Sequence, residues 1–308
     1  MRFRRQIHKV IALGLIVIVI MTTNWGVIFG FYNDEQSLNQ SWVTQSNSKR
    51  SDDWELPIMK SHSKGFRPVY VYSKAKPLFN KENYSQANQD RLILGLMKAN
   101  NEHTNSTSFR QPYFVDLAAN DAYEISNTYL LELGGWEGLC IEPNPRYWYS
   151  LASYRKCTVV GAFVGGTEEE DGKQVDVKIA GDGGLGGIVG SEYDNKGGAD
   201  AKRNIVSITT ILKETKVPSM IDYFSLDIEG AESLAMKGFS WDLYTMRFLT
   251  VERPKPDLTA KLKEKGYKMV AKIASWDDQL WIHEASVSFS VEEARKIVMS
   301  INHGKRYK

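Results

Sequence analysis

The stretch Phe114-Val115-Asp116-Leu117-Ala118-Ala119-Asn120-Asp121 decides the fold of this chain. Its first half is an apolar run that follows Pro112 and predicts a strand over residues 113–117. Its second half consists of small and polar residues, and a helical pattern follows over residues 124–133 and ends at two glycines. A strand, a tight turn and a helix in this order predict an α/β unit.

The same alternation continues toward the carboxyl end. A glycine-rich excursion from residue 165 to about residue 198 interrupts it. Apolar runs predict further strands at residues 138–141, 157–164, 175–179, 221–226, 247–251, 267–272 and 279–283, and helical patterns predict helices at residues 145–154, 209–215 and 291–301. Strands that alternate with helices predict a parallel sheet with helices on both faces.

Acidic side chains follow three of the predicted strands. Asp116 and Asp121 flank the first turn, Glu142 ends the second strand, and Asp227-Ile228-Glu229-Gly230-Ala231-Glu232 follows the strand at residues 221–226. Ligands of open α/β sheets bind outside the carboxyl ends of the strands, and an acidic residue about 20 positions after the first turn commonly binds a ribose. The pattern therefore predicts a nucleotide-type cofactor site.

Structural explanations of the same residues stay open. Asp121 would cap the following helix in an ordinary tight turn. Glu229 and Glu232 would be favoured by the dipole at a helix N-terminus, which explains Asp227 poorly.

Several motifs together resemble the FkbM-type methyltransferases over roughly residues 82–285. The motifs are Tyr84-Ser85-Gln86 followed by Asp90, Val115-Asp116-Leu117-Ala118-Ala119-Asn120-Asp121, Ser126-Asn127-Thr128, Ile141-Glu142-Pro143-Asn144 and Asp227-Ile228-Glu229-Gly230-Ala231-Glu232. The resemblance implies a Rossmann-like fold with a seven-stranded sheet. It also implies S-adenosylmethionine as cofactor and, in general, O-methyltransferase activity.

The resemblance also implies a role for each matched residue. Asp116, Ala118 and Asn120, with the adjacent Asp121, would lie on the methionine and ribose side of S-adenosylmethionine. Glu142 would bind the ribose hydroxyls, Asp227 would lie beside the methyl group, and Gln86 and Asp90 would belong to an N-terminal element that covers the cofactor. The family usually has glycine at the positions of Ala118 and Ala122, and a Cβ at residue 118 opposes a positive φ.

Transfer of a methyl group to an alcohol depends on positioning and benefits from a base. The candidate catalytic residues are Asp227, Glu229 and Glu252, and Glu252 follows the strand at residues 247–251. His283 is a weaker candidate. Carboxylates could hold a divalent ion, but the spacing assigns no metal ligand.

The N-terminus predicts a membrane anchor. Four basic residues precede an uncharged run at residues 10–32, which is long enough to span a hydrocarbon core as a helix. We predict a cytosolic tail at residues 1–9, a transmembrane signal anchor at 10–32, a flexible stem at 33–68 and a lumenal or extracytoplasmic domain at 69–308. A cleaved signal peptide and a buried helix are the alternatives.

Two further features bear on this location. Asn39, Asn83 and Asn105 each begin a glycosylation sequon, which agrees with a lumenal domain. Cys140 and Cys157 fall on consecutive predicted strands and could face one another. We expect buried free thiols, although an oxidising lumen would permit a disulfide.

The run at residues 183–187 predicts a flexible hairpin, with a mobile lid as the alternative.

Composition restricts the function. With 39 Lys and Arg against 37 Asp and Glu, the net charge is +2, which argues against a nucleic-acid partner. Two cysteines exclude a Cys-rich zinc module. No two aspartates are separated by a single residue, so the Asp-x-Asp motif of metal-dependent glycosyltransferases is missing.

The sequence therefore predicts a membrane-anchored S-adenosylmethionine-dependent methyltransferase. We expect it to O-methylate a glycan or a small hydroxylated metabolite. The alternative is a methyltransferase fold without turnover that acts as a lumenal interaction module.

Overall fold

The computed structural model describes residues 84–104, 110–179 and 186–303, together with the backbone of four short strands that precede them. The chain divides into two units, residues 1–39 and 40–308. In the first unit, β1 (Thr22–Thr23) and β2 (Gly26–Val27) pair antiparallel. These four residues are extended, whereas we predicted a transmembrane helix over residues 10–32. The rest of that segment lies outside the described residues.

The second unit alternates strands and helices. Its elements are β3 (Ser41–Thr44), β4 (Phe66–Pro68), α1 (Gln89–Thr104), β5 (Tyr113–Leu117), α2 (Tyr129–Leu133), β6 (Glu137–Ile141), α3 (Pro145–Tyr154), β7 (Thr158–Gly161), β8 (Phe163–Val164), β9 (Gln174–Lys178), β10 (Gly187–Ile188), β11 (Ala201–Val206), α4 (Ile208–Glu214), β12 (Met220–Leu226), α5 (Glu232–Lys237), β13 (Thr245–Val251), α6 (Pro256–Glu264), β14 (Tyr267–Lys272), β15 (Gln279–His283) and α7 (Val291–His303). Within the described ranges, no helix is both long and apolar enough to span a membrane.

The central sheet has the strand order β14-β15-β13-β12-β5-β6-β7, and β3 and β4 extend it beyond β7. Strand β15 runs antiparallel to both of its neighbours, and the other pairings from β13 to β7 are parallel. The predicted seven-stranded sheet is therefore confirmed. Strand order reverses between β5 and β12, which is where open sheets of this kind bind ligands.

Helices cover both faces of the sheet, as predicted. Apolar side chains of α4, α5 and α6 pack against one face, and those of α1, α2, α3 and α7 pack against the other. Along β5, Val115 and Leu117 belong to the first cluster and Phe114 to the second, because successive side chains of a strand point to opposite faces.

The glycine-rich excursion forms a second sheet of order β10-β9-β11-β8. Strand β8 pairs parallel with β11, and β9 pairs antiparallel with β10 and β11. The single strand predicted at residues 157–164 is broken at Ala162, so β7 lies in the central sheet and β8 in the small one. Residues 180–185, which include most of the predicted hairpin, lie outside the described residues.

Two parts of the predicted stem are extended. Strand β3 pairs antiparallel with β7, and β4 pairs with β3. This pairing differs from the structureless stem predicted at residues 33–68. It has a simple physical reason, since an edge strand such as β7 offers unpaired backbone groups to any extended segment.

Cys140 and Cys157 form a disulfide, so the expectation of free thiols was wrong. Cys140 lies in β6 and Cys157 directly precedes β7, and both residues are buried. The bond closes a loop that contains α3, and it fixes the β6–α3–β7 unit beside the carboxyl end of β6.

Candidate active site

Four neighbouring strands end in register at one edge of the central sheet. Leu226 is paired with Leu117 on one side and with Val251 on the other, and Leu117 is paired with Ile141. The residues that follow are Ala118, Glu142, Asp227 and Glu252. The backbone N–H groups of Ala118, Asp227 and Glu252 each donate to the last residue of the neighbouring strand, at 2.9, 3.4 and 2.9 Å. The predicted strand-end residues therefore form one row.

Backbone strain is concentrated in the loops at this edge. Non-glycine residues with positive φ are uncommon, and they cluster at functional sites. Of those described, only Lys216 (φ 56°) lies elsewhere. The others are Asn88 (62°), Ala118 (68°), Asn120 (52°), Ile125 (53°), Glu229 (55°), Arg253 (39°) and Asp277 (79°). The strain marks the same edge as the row of strand ends.

Glu142 is buried at the end of β6 and accepts two backbone hydrogen bonds. One carboxylate oxygen accepts the N–H of Asn120 at 2.8 Å, and the other accepts the N–H of Asn144 at 2.7 Å. Burial nevertheless raises the pKa of Glu142 to about 7, and the nearby Asp116 contributes to that increase. The carboxylate keeps lone pairs for further donors.

Asp116 lies one residue before the strand end and is buried. Its carboxylate accepts the hydroxyl of Thr128 at 2.6 Å. Burial raises its pKa, and the hydroxyl of Thr128 and the charge of Arg155 oppose that increase. The carboxylate of Asp116 is therefore bound to Thr128, the residue directly before α2.

Arg155 ties this turn to the rest of the fold from a fully buried position. It donates to Thr128 Oγ1 at 2.8 Å and to the carbonyl of Ala122 at 3.2 Å, and it pairs with Glu132 at 3.2 Å. Glu132 also accepts the N–H of Cys157 at 2.9 Å. The loop after β5 is consequently held by a buried charge pair, which sequence analysis did not find because its members are far apart in the chain.

The remaining predicted cofactor residues take different positions. Asp121 accepts the backbone N–H groups of Tyr123 and Glu124 at 3.1 and 3.0 Å and so stabilises a turn. It does not cap the following helix, because α2 begins only at Tyr129 and its N-cap residue is Thr128. Asp90 is buried, and its carboxylate accepts the hydroxyl of Ser85 at 2.6 Å. Asp90 thereby fixes the segment that carries Gln86, whose side chain is exposed.

Asp227 and Glu252 form a coupled pair of carboxyl groups. Burial is the main cause that raises the pKa of Asp227 well above its usual range, and the neighbouring carboxyl group of Glu252 adds to the increase. Among the described residues, Glu252 Oε2 has no hydrogen-bond donor. Two buried carboxylates side by side repel each other, which favours a state in which one of them carries a proton. The pair therefore binds a proton at a pH where an isolated carboxyl group would have lost it.

A second group of carboxylates surrounds Arg253. Oxygen atoms of Asp194, Glu229 and Glu252 lie within 4.8 Å of one another, a spacing that a metal ion could bridge. The guanidinium Nη2 of Arg253 already contacts all three, at 2.7, 3.3 and 2.5 Å respectively. Burial and the charge of Glu252 still raise the pKa of Glu229 to about 7, although Arg253 opposes the increase.

The small sheet reaches this edge through residues 190–195. The N–H of Asp194 donates to the carbonyl of Glu229 at 3.2 Å. Lys255 donates to the carbonyls of Glu192 and Gly230, and its ammonium lies 5.2 Å from the ring centre of Tyr193. The glycine-rich excursion thus forms one wall of the candidate site.

The candidate bases are brought together with one exception. Asp227, Glu229 and Glu252 lie at the carboxyl ends of β12 and β13. His283 ends β15, and because β15 is antiparallel it pairs with Tyr267 at the opposite edge of the sheet. His283 is therefore excluded as a base at this site. Sequence analysis missed Asp278. This residue is buried, and the charge of Glu252 contributes to its raised pKa, so it belongs to the same cluster.

Comparison with known protein families identifies the family of this domain. A family model described as the methyltransferase FkbM domain matches residues 116–269. The matched span runs from β5 into β14 and contains all four strand ends. No curated protein sequence matches the chain.

The raised pKa values predict that stability falls as pH rises. Glu142, Glu229 and Glu232 have pKa values of about 7, against about 4.3 for an unfolded glutamate. A raised folded-state pKa gives stability that is complete below the unfolded value and is lost as pH rises through the folded value. We expect the melting temperature to fall by more than about 4 °C between pH 5 and pH 8.

Glu229→Gln removes one of these groups and should reduce the fall in melting temperature between pH 5 and pH 8. Glu137→Gln, at the exposed far end of β6, is the matched control and should leave that fall unchanged. A melting temperature that is constant or rises over this range would contradict the assignment.

Proposed function

The chain belongs to the FkbM methyltransferase family, and from this premise we propose that it is an S-adenosylmethionine-dependent methyltransferase that acts on a hydroxyl oxygen. The observation that carries the proposal is the row of strand ends, because it gathers Glu142, Asp227 and Glu252 at the switch point of the sheet.

The residues present suit this cofactor. The ribose hydroxyls and the ammonium group of S-adenosylmethionine donate hydrogen bonds. Its ammonium group and its sulfur also carry positive charge. The edge presents buried carboxylate acceptors, and the adjoining turn carries the small side chains Ala118, Ala119 and Ala122. Glu142 would bind the ribose hydroxyls with its remaining lone pairs, and Asp227 would face the positive charge.

The coupled carboxyl pair supplies the base. Bound S-adenosylmethionine would provide a methyl group on a positively charged sulfur. The acceptor oxygen would form a bond to the methyl carbon while the bond between that carbon and sulfur breaks, so that S-adenosylhomocysteine leaves as a neutral thioether. The hydroxyl proton of the acceptor would pass to Asp227. A carboxylate with a raised pKa is a stronger base than an ordinary one. Activity should therefore rise with pH as Asp227 loses its proton.

The competing function is an interaction module without turnover, suggested by Ala118 in place of glycine. Ala118 nevertheless has φ 68°, the left-handed conformation that glycine adopts readily. The sequence led us to expect that the Cβ would oppose this conformation. Because the backbone keeps the turn despite the methyl group, we favour the active enzyme.

We also propose that the domain is lumenal or extracytoplasmic and that residues 10–32 anchor it to a membrane. In a eukaryotic cell the compartment would be the endoplasmic reticulum or the Golgi. The charge pattern and the uncharged run support this topology. The Cys140–Cys157 disulfide supports it independently, because disulfides persist in oxidising compartments.

The first test separates binding from turnover. Glu142→Gln should weaken S-adenosylhomocysteine binding more than tenfold in isothermal titration, because it removes the charge and one acceptor from the ribose site. Asp227→Asn should bind the same product with little change and lose at least about 100-fold in single-turnover rate, as expected for a missing base.

Glu137→Gln, at the other end of β6, is the control for Glu142→Gln. Unchanged affinity in Glu142→Gln would show that the cofactor lies elsewhere. Full turnover in Asp227→Asn would remove Asp227 as the base.

A second prediction concerns Ala118. Ala118→Gly removes a left-handed strain of about 1–2 kcal/mol, and the greater freedom of glycine in the unfolded chain offsets about 0.4–1 kcal/mol of that gain. We expect a net stabilisation of up to about 1.5 kcal/mol in denaturant unfolding, with equal or tighter S-adenosylhomocysteine binding. A loss of more than 1 kcal/mol, or weaker binding, would show that the methyl group makes a required contact.

A third prediction concerns topology. In eukaryotic cells, a glycosidase should shift the mass of the full chain, and Asn83→Gln with Asn105→Gln should reduce that shift. Protease added to sealed microsomes should remove an epitope at residues 1–9 and spare residues 69–308. The reverse protection pattern would contradict the proposed orientation.

A further inference from the structure

The loop between β14 and β15 lies at the candidate active site. Strand β15 is antiparallel to β13, and Gln279 is paired with Val251. Asp278, which precedes Gln279, is therefore a neighbour of Glu252, which follows Val251. Burial is the main cause that raises the pKa of Asp278 to about 6, and the charge of the neighbouring Glu252 adds to the increase.

This loop exposes one aromatic side chain, Trp276, which is 44% exposed. The loop around it is fixed. The N–H of Ile273 donates to the carbonyl of Asp278 at 2.8 Å, and Asp277 pairs with Lys272 at 2.5 Å.

One contact holds the side chain of Asp278 and leaves part of its carboxylate open. Its Oδ2 accepts Gln89 Nε2 at 3.4 Å, and its Oδ1 is buried without a hydrogen-bond partner among the described residues. Gln89 begins α1, which follows the segment fixed by Asp90. The exposed indole therefore lies on a fixed loop, two residues from a buried carboxylate oxygen that has no partner among the described residues.

The combination of an exposed aromatic face and neighbouring carboxylates fits a sugar. The C–H face of a pyranose ring is apolar and packs on an indole, and its hydroxyls donate to carboxylates. The local charge further restricts the ligand. Five acids (Asp194, Asp227, Glu229, Glu252 and Asp278), of which the Asp227–Glu252 pair retains one proton, face two basic residues (Arg253 and Lys255), so the acids still outnumber the bases. The remaining negative charge would repel a carboxylated or phosphorylated acceptor.

We propose that Trp276 and Asp278 form the acceptor subsite of this enzyme and that the acceptor is an uncharged carbohydrate. The indole stacks on the sugar ring, and Asp278 accepts a ring hydroxyl so that a neighbouring hydroxyl faces Asp227. This inference rests on the proposed methyltransferase function and names its substrate class.

The test uses the full chain loaded with S-adenosylhomocysteine. Saturation-transfer NMR would measure binding of methyl β-D-glucopyranoside, methyl β-D-mannopyranoside, methyl β-D-glucuronide and catechol. We expect at least one uncharged hexoside to bind and the glucuronide to bind about tenfold more weakly or not at all. Trp276→Ala should weaken hexoside binding about tenfold, and Trp276→Phe should restore much of it.

Tyr149→Ala is the matched control, because Tyr149 is also an exposed aromatic residue but lies on α3. It should leave hexoside binding unchanged, and none of these variants should alter the titration with S-adenosylhomocysteine. Equal hexoside binding by Trp276→Ala would overturn the subsite. So would preference for the glucuronide, binding of catechol alone, or binding of no member of the panel. Failure to bind S-adenosylhomocysteine would instead refute the methyltransferase function itself.

Discussion

The organisation of this protein depends on one constraint: carboxyl groups buried at the ends of adjacent strands must each be offset. Burying an unpaired charge is costly, so a buried carboxylate needs a donor, a cation or a proton. The chain uses all three. Glu142 is satisfied by two backbone N–H groups, the carboxylates around Glu229 by Arg253, and Asp227 by the proton of its coupled pair. The third solution leaves a group that can accept or release a proton.

Two arginines supply compensating positive charge on opposite sides of the switch point. Arg155 is fully buried and fixes the loop after β5 through Thr128 and Glu132. Arg253 lies at the surface end of β13 and joins the loop after β12 to Asp194 of the small sheet. The Arg155–Glu132 pair is buried, so removing one of its members would leave an uncompensated charge and cost about 3–5 kcal/mol, which explains why the strained loop after β5 persists. The geometry of the site is thus held by groups outside the row of strand ends.

Much of the fold could be predicted from the sequence, because strands buried on both faces are apolar runs with sharp ends. The bounds of β5, α3, β14 and β15 were predicted correctly. Helix α2 begins at Tyr129 instead of residue 124, since Ile125 adopts a left-handed φ that its residue type does not predict. Helices α1 and α6 were missed, whereas α5 confirms the alternative explanation of Glu232 as a residue of a helix N-terminus. The pairings of Arg155 with Glu132 and of Arg253 with Asp194 and Glu229 depend on contacts distant in sequence, which local patterns do not encode. The sequence placed Cys140 and Cys157 on consecutive strands but did not decide whether they pair.

Ala118 shows how the strand ends impose geometry on the chain. The N–H groups of Ala118 and Ala119 both donate to the carbonyl of Ile141, at 2.9 and 3.0 Å. Two consecutive donors can reach one acceptor only if the backbone turns sharply, and at Ala118 that turn requires a positive φ. The strain of about 1–2 kcal/mol is smaller than the cost of leaving buried backbone donors unsatisfied. A methyl group at this position therefore changes the energy of the turn but not its shape, so the space for a cofactor beside β5 is set by β6.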